Sequence, residues 1–189
     1  TGRPEPGAPF QAPHKERPYM EEIERSPGKL RIAWSSETPS GRPIDPQIQA
    51  ALERTAALLK GLGHEVVEKG LGIDYRALYT ARGPVSGANF AANIARLAAM
   101  LGREPQEHEL EPLTWAALKS GRKVTGEQAF RGWQDLRDLN RKTLMFFEDY
   151  DVYLCPVLGT PVPPVGLIDP VAVDPDDTET LGDLIIAAY

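Results

Sequence analysis

The chain holds one cysteine, Cys155, in 189 residues. A single thiol cannot close an internal disulfide, and no Cys/His group has the spacing of a zinc site. The three histidines, His14, His64 and His108, lie far apart and form no metal motif. A reducing cytoplasm is the compartment this usage fits. Long apolar runs are also missing, and none approaches the ~20 residues that a helix needs to cross a bilayer. The first residues are proline-rich and polar, without the apolar core of a signal peptide. Clustered positive charge is scarce as well. Acidic residues outnumber basic ones 27 to 21, for a net charge of −6. Pairs such as Arg122-Lys123 and Arg141-Lys142 read as solvated helix faces. Phosphate binding needs a basic stripe, so nucleic acid is not an expected partner, and neither is a membrane.

What is present describes a folded domain. Apolar residues make up 41% and charged residues 25%, the balance of a soluble globular chain long enough to build a core. Proline is dense at the start. Residues 1–28 carry six prolines from Pro4 to Pro27, which blocks regular pairing and predicts a connector with one short helix at Tyr19–Arg25. The apolar run Leu30–Ser35 predicts a buried strand. A turn-rich segment follows, then Asp45-Pro46, an N-cap with proline at the first helical position. Ile48, Ala51, Leu52, Thr55, Leu58, Leu59 and Leu62 recur every three or four residues and predict one helix face, stopped by Gly63. His64–Val67 predicts a second strand. The order strand–helix–strand implies a crossover and a parallel pair.

Residues 71–124 read as helical. Leu78, Ala81, Val85, Ala88, Ala92, Ala95 and Ala99 mark an inward face, and Gly83-Pro84 within it predicts a kink or a helix start. Gly102 ends that segment. A shorter helix is predicted over Glu111–Arg122, with Leu113, Ala117 and Leu118 inward. Thr125 to Gln128 forms a capping box. The helix it opens carries Phe130, Trp133, Leu136, Asn140, Leu144 and Phe147 on one face. Phe130, Trp115 and Trp133 are expected in the core, and Asn140 is expected as a buried amide. Asp151–Val157 predicts a third strand, and the proline-rich stretch after it excludes regular structure. The chain starts at Thr1 rather than Met and stops on the apolar run Leu184–Tyr189, which reads as a piece of a larger protein. The expected division is a connector over 1–28, an α/β unit over 29–167 and an acidic linker with a truncated segment over 168–189.

Three stretches in this order, 6–32, 30–68 and 113–166, carry a resemblance. The most specific parts are the helix opened by Asp45-Pro46 and closed at Gly63-His64-Glu65-Val66, and the later run Phe146 to Gly166, which reads FFEDYDVYLCPVLGTPVPPVG. Together they resemble the C-terminal portion of amidase-signature enzymes, nearest to the cyclic-dimer hydrolase branch. The resemblance implies the α/β amidase fold, here a fragment with a few-stranded mixed sheet and covering helices. It implies hydrolysis of a linear or cyclic carboxylic amide through a seryl acyl-enzyme, with no metal or organic cofactor.

Family chemistry uses a lysine and two serines in a Gly/Ser-rich stretch, where a neutral lysine draws a proton through one serine to activate the other. That stretch is absent. Ser35 to Gly41 carries Glu37 and Pro39 where the family has glycine, and Lys29 reads as a surface lysine. No catalytic residue is therefore assigned to this chain. The candidate pocket residues are Ser86 and Asn89, polar groups three apart among small side chains in a region that lines the acyl pocket in the family, and Cys155, which reads as a buried thiol within the predicted third strand but lies in a stretch that runs near the substrate cleft in the family. The expected partners are a small amide substrate, the missing N-terminal half of the same protein, and a second copy of the chain. Two other readings stand beside this one: a stand-alone, non-catalytic α/β module that binds a small molecule or partner, and a degenerate structural domain. A Gly/Ser-rich serine motif encoded upstream favours the enzyme, and a start codon there favours the module.

Overall fold

A computed structural model describes residues 16–38 and 41–166. The first part of the predicted connector and the acidic tail lie outside the described residues. The elements run α1 (Tyr19–Glu22), β1 (Arg31–Trp34), α2 (Pro46–Gly61), β2 (Glu65–Glu68), α3 (Tyr75–Leu101), a short 3-10 turn at Glu107–Glu109, α4 (Pro112–Gly121), α5 (Gly126–Asp149) and β3 (Val152–Leu154).

The three strands form one sheet in the order β2-β1-β3. Ile32 pairs with Val66 on one side and with Val152 on the other, and both pairings are parallel. The sheet is thus parallel among the described residues, where a mixed sheet was expected. The connections explain this. Parallel neighbours need a long crossover, and α2 supplies one between β1 and β2 while α3, α4 and α5 supply the other between β2 and β3. β1 sits in the centre, with Ile32 and Ala33 buried. Its start is fixed from both sides. The Leu30 amide donates to His64 Nδ1 at 3.2 Å. The Arg31 amide and guanidinium donate to the Asp151 carboxylate at 2.7 and 2.9 Å.

The caps follow the sequence. Asp45 accepts from the Gln47 amide, Thr125 and Gln128 cap each other's backbone, and Gly63 takes a positive φ after α2. The helix α3 runs on through Pro84 rather than starting there. It packs against both α5 and α4, and glycine makes both approaches close. A Cβ on Gly132 would lie 2.5 Å from the Ala81 carbonyl oxygen, and one on Gly121 would overlap the Gly87 carbonyl.

The buried stripe of α5 differs from the expected one. Gly132 is buried, and Leu136, Leu139, Thr143 and Phe146 are half-buried. Phe130 is 65% exposed and Trp133 55%, and Asn140 and Leu144 are exposed too. Small residues let α3 come close at Gly132, so the helix turns that edge inward and its bulkier face stays outside. Trp115 on α4 is half-buried, and Leu118 there is fully enclosed while Ala117 is exposed. In α3 the inward face slips by one position after Ala88, to Ala91, Ile94 and Ala98. In α2, Leu52 and Ala56 are buried and Leu58 and Leu62 are not.

Candidate functional site

In an open parallel sheet ligands sit in crevices beyond the carboxyl ends of the strands. The carboxyl ends of the parallel neighbours β1 and β3 lie side by side. From β1 the chain departs to β2 on one side, and it returns to β3 on the other. A cleft of about 210 Å³ opens at this point. Its walls come from the segment after β1, the segment after β3 and the start of α3.

Local bonds hold these segments. The Ser35 amide donates to the Leu154 carbonyl at 3.1 Å, which extends the β1–β3 ladder by one rung. Ser35 is buried, and its hydroxyl accepts from the Glu37 amide at 3.0 Å. The Asp45 amide donates to the Gly159 carbonyl at 2.8 Å and ties the segment after β3 to the start of α2. Ile44 and Leu71 supply apolar wall, and Glu37, Tyr75, Tyr153 and Cys155 supply the groups with chemistry.

Burial pushes the Tyr75 phenol above its ordinary pKa, and Tyr153, Cys155 and Glu37 nearby add to that shift. Burial also raises Tyr153. The Ser35 hydroxyl opposes it, while Cys155 and Glu37 reinforce it. Both phenols therefore stay protonated at neutral pH and can donate hydrogen bonds.

Cys155 lines this cleft and is an exposed residue, where its place in the predicted strand implies a buried one. Ser86 and Asn89 are both exposed and line neither this cleft nor the two larger grooves between α3 and α5. They stand 11 and 14 residues beyond Tyr75 on the same helix, roughly 16–21 Å along its axis. The chain's own fold does not bring them to Cys155. The larger grooves, of about 490 and 320 Å³, are shallower in chemistry. The first is rimmed by solvent-facing charges such as Asp135, Asp138 and Lys142, and the second is an apolar trough beside Trp133. The sequence reading missed Glu37, Tyr75 and Tyr153. The signal that finds them is topological: each lies in, or just beyond, a segment at the carboxyl edge of the sheet.

The Amidase family model matches residues 4–188. The chain belongs to the amidase family. It is 30% identical over 166 residues to the 6-aminohexanoate-cyclic-dimer hydrolase of Paenarthrobacter ureafaciens, covering 85% of this chain and 33% of that protein. It is 28% identical over 139 residues to the lipoamidase of Enterococcus faecalis, covering 71% of this chain and 18% of that protein. A solved structure of 6-aminohexanoate cyclic dimer hydrolase in complex with substrate superposes with a TM-score of 0.79 at 29% identity, over 87% of this chain and 35% of that one. This amidase chain therefore spans about a third of the length of the cyclic-dimer hydrolase it matches. No helix among its described residues is long and apolar enough to cross a membrane.

Proposed function

We propose that this chain is the C-terminal portion of an amidase that cleaves a linear or cyclic carboxylic amide, and that it supplies scaffold and one wall of the substrate cleft. The observation that carries this is the cleft beyond the carboxyl ends of β1 and β3 in a chain of the amidase family. The catalytic serine and its lysine partner come from the part of the protein that this chain does not cover. There a seryl oxygen attacks the amide carbon and the amine leaves with a proton. Water then hydrolyses the acyl ester and returns the serine. Tyr75 and Tyr153 contribute protonated hydroxyls at a half-buried wall, where donors count for more than they do in water. Cys155 shapes the same wall, and the helix carrying Ser86 and Asn89 reaches the substrate only once the rest of the domain is in place. The exposed apolar edge of α5, with Phe130, Trp133 and Leu144, is the surface that meets that remainder or a second copy of the chain. A reducing compartment such as the cytoplasm fits the single cysteine.

The test is turnover. The full-length protein and the 189-residue chain are assayed with neutral linear and cyclic amides. The full-length protein is expected to release amine and the isolated chain to release none. Amide turnover by the isolated chain overturns the assignment of the nucleophile elsewhere. A full-length protein that cleaves no amide overturns the amidase reading.

A further inference from the structure

One carboxylate, on the exposed residue Glu37, stands in this cleft. It shares the wall with the phenols Tyr75 and Tyr153 and the apolar Ile44 and Leu71, and Thr38 and Cys155 add a hydroxyl and a thiol. A missing side chain makes room for the carboxylate, because a Cβ on Gly70 would overlap the Glu37 carboxyl group. Among the described residues no lysine, arginine or histidine pairs with this carboxylate.

We propose that Glu37, Tyr75 and Tyr153 form a subsite for a primary ammonium group on a short aliphatic chain. An ammonium presents three N–H donors and a compact positive charge, and a carboxylate accepts both. The two phenol oxygens can accept from the same group. The aliphatic chain of such a ligand lies against Ile44 and Leu71, where its contact with water is removed. A cleft of about 210 Å³ suits a small ligand. The negative charge of Glu37 disfavours a carboxylate or phosphate in this place. Both phenols remain protonated, so they add no second negative charge.

The chemistry of amide hydrolysis produces such a group. The C–N bond breaks, the carbonyl carbon gains the oxygen of water, and the nitrogen leaves as an amine that is protonated at neutral pH. No further reactant is needed. Identifying the ammonium with the amine half of a substrate rests on the amidase reading, while the binding itself does not.

The experiment titrates the 189-residue chain with n-butylammonium chloride, n-butanol and sodium butyrate, following backbone amide resonances by NMR. Butylammonium is expected to shift the resonances around Glu37, Tyr75, Tyr153 and Cys155 and to bind about fivefold or more tightly than butanol. Butyrate is expected to bind most weakly. Glu37→Gln is expected to abolish the preference for butylammonium, and Tyr75→Phe, which keeps the ring, to retain it. Equal binding of butanol, an undiminished preference in Glu37→Gln, or shifts confined to another surface overturns the proposal. Turnover plays no part in this readout, so its failure and a failure of the parent to cleave amides are separate results.

Discussion

Arg103 and Glu109 show how much one exposed pair does to a single ionisation. The guanidinium donates to both carboxylate oxygens at 2.6 and 2.7 Å, and the Gln106 amide adds a third bond at 2.8 Å. Together they hold the Glu109 carboxyl at about 2, below its ordinary 4.5. A depressed carboxyl pKa stabilises the fold above the ordinary carboxylate range, and that contribution is lost as pH falls towards the folded value. Wild type is therefore expected to exceed Glu109→Gln in urea midpoint at neutral pH, with the gap closing from about pH 5 towards 2. Added salt is expected to narrow the gap at neutral pH, since the pair faces water. A gap that ignores pH contradicts this account. The Arg31–Asp151 pair works the same way at the mouth of the sheet, where the guanidinium and the Arg31 amide hold the Asp151 carboxyl below its ordinary range. Nothing in the sequence marks this partnership, because the two residues are 120 positions apart. The capping residues Asp45 and Thr125 were legible because their partners lie two and three residues away.

At the scale of elements, the packing of α3 against α5 turns on Gly132. An alanine there would place its Cβ 2.5 Å from the Ala81 carbonyl oxygen and 2.9 Å from Val85 Cγ2. The backbone oxygen cannot swing aside, so the two helices must separate. Gly132→Ala is expected to lower stability by about 1–3 kcal/mol in urea unfolding, despite alanine's better helix propensity. A variant as stable as wild type would show that the close approach is not rigid. The same glycine explains where the sequence reading of α5 went wrong. Apolar periodicity follows the large side chains, and it selected the face with Phe130, Trp133 and Leu144. The contact with α3 at Gly132 brings Leu139 and Phe146 inward beside Leu136, which the periodicity also places there. Helix existence, caps and the parallel β1–β2 pair were legible because each rests on local chemistry. The phase of α5, and the inward slip of α3 after Ala88, depend on a partner helix that no window of sequence contains. The site was half legible for the same reason. Cys155 is singled out through the family resemblance of its stretch, but Glu37 and Tyr75 join it only through the sheet order.

For the whole molecule, the sheet has β2 and β3 at its edges among the described residues, and one helix presents an uncovered aromatic and aliphatic edge. Strand edges and apolar patches of this kind promote association. Multi-angle light scattering is expected to give a mass above 20.7 kDa at high concentration, with the excess removed by charged substitutions at Phe130 and Trp133. A clean monomer contradicts that expectation. In the proposed division of labour, this chain shapes the cleft and another part of the protein carries the nucleophile. Treating the full-length protein with a serine-reactive fluorophosphonate and mapping the adduct by mass spectrometry tests it directly. One labelled serine is expected outside these 189 residues, with amide hydrolysis lost in step with labelling. An adduct on Ser35, Ser86 or any other serine of this chain, accompanied by the same loss, would contradict it.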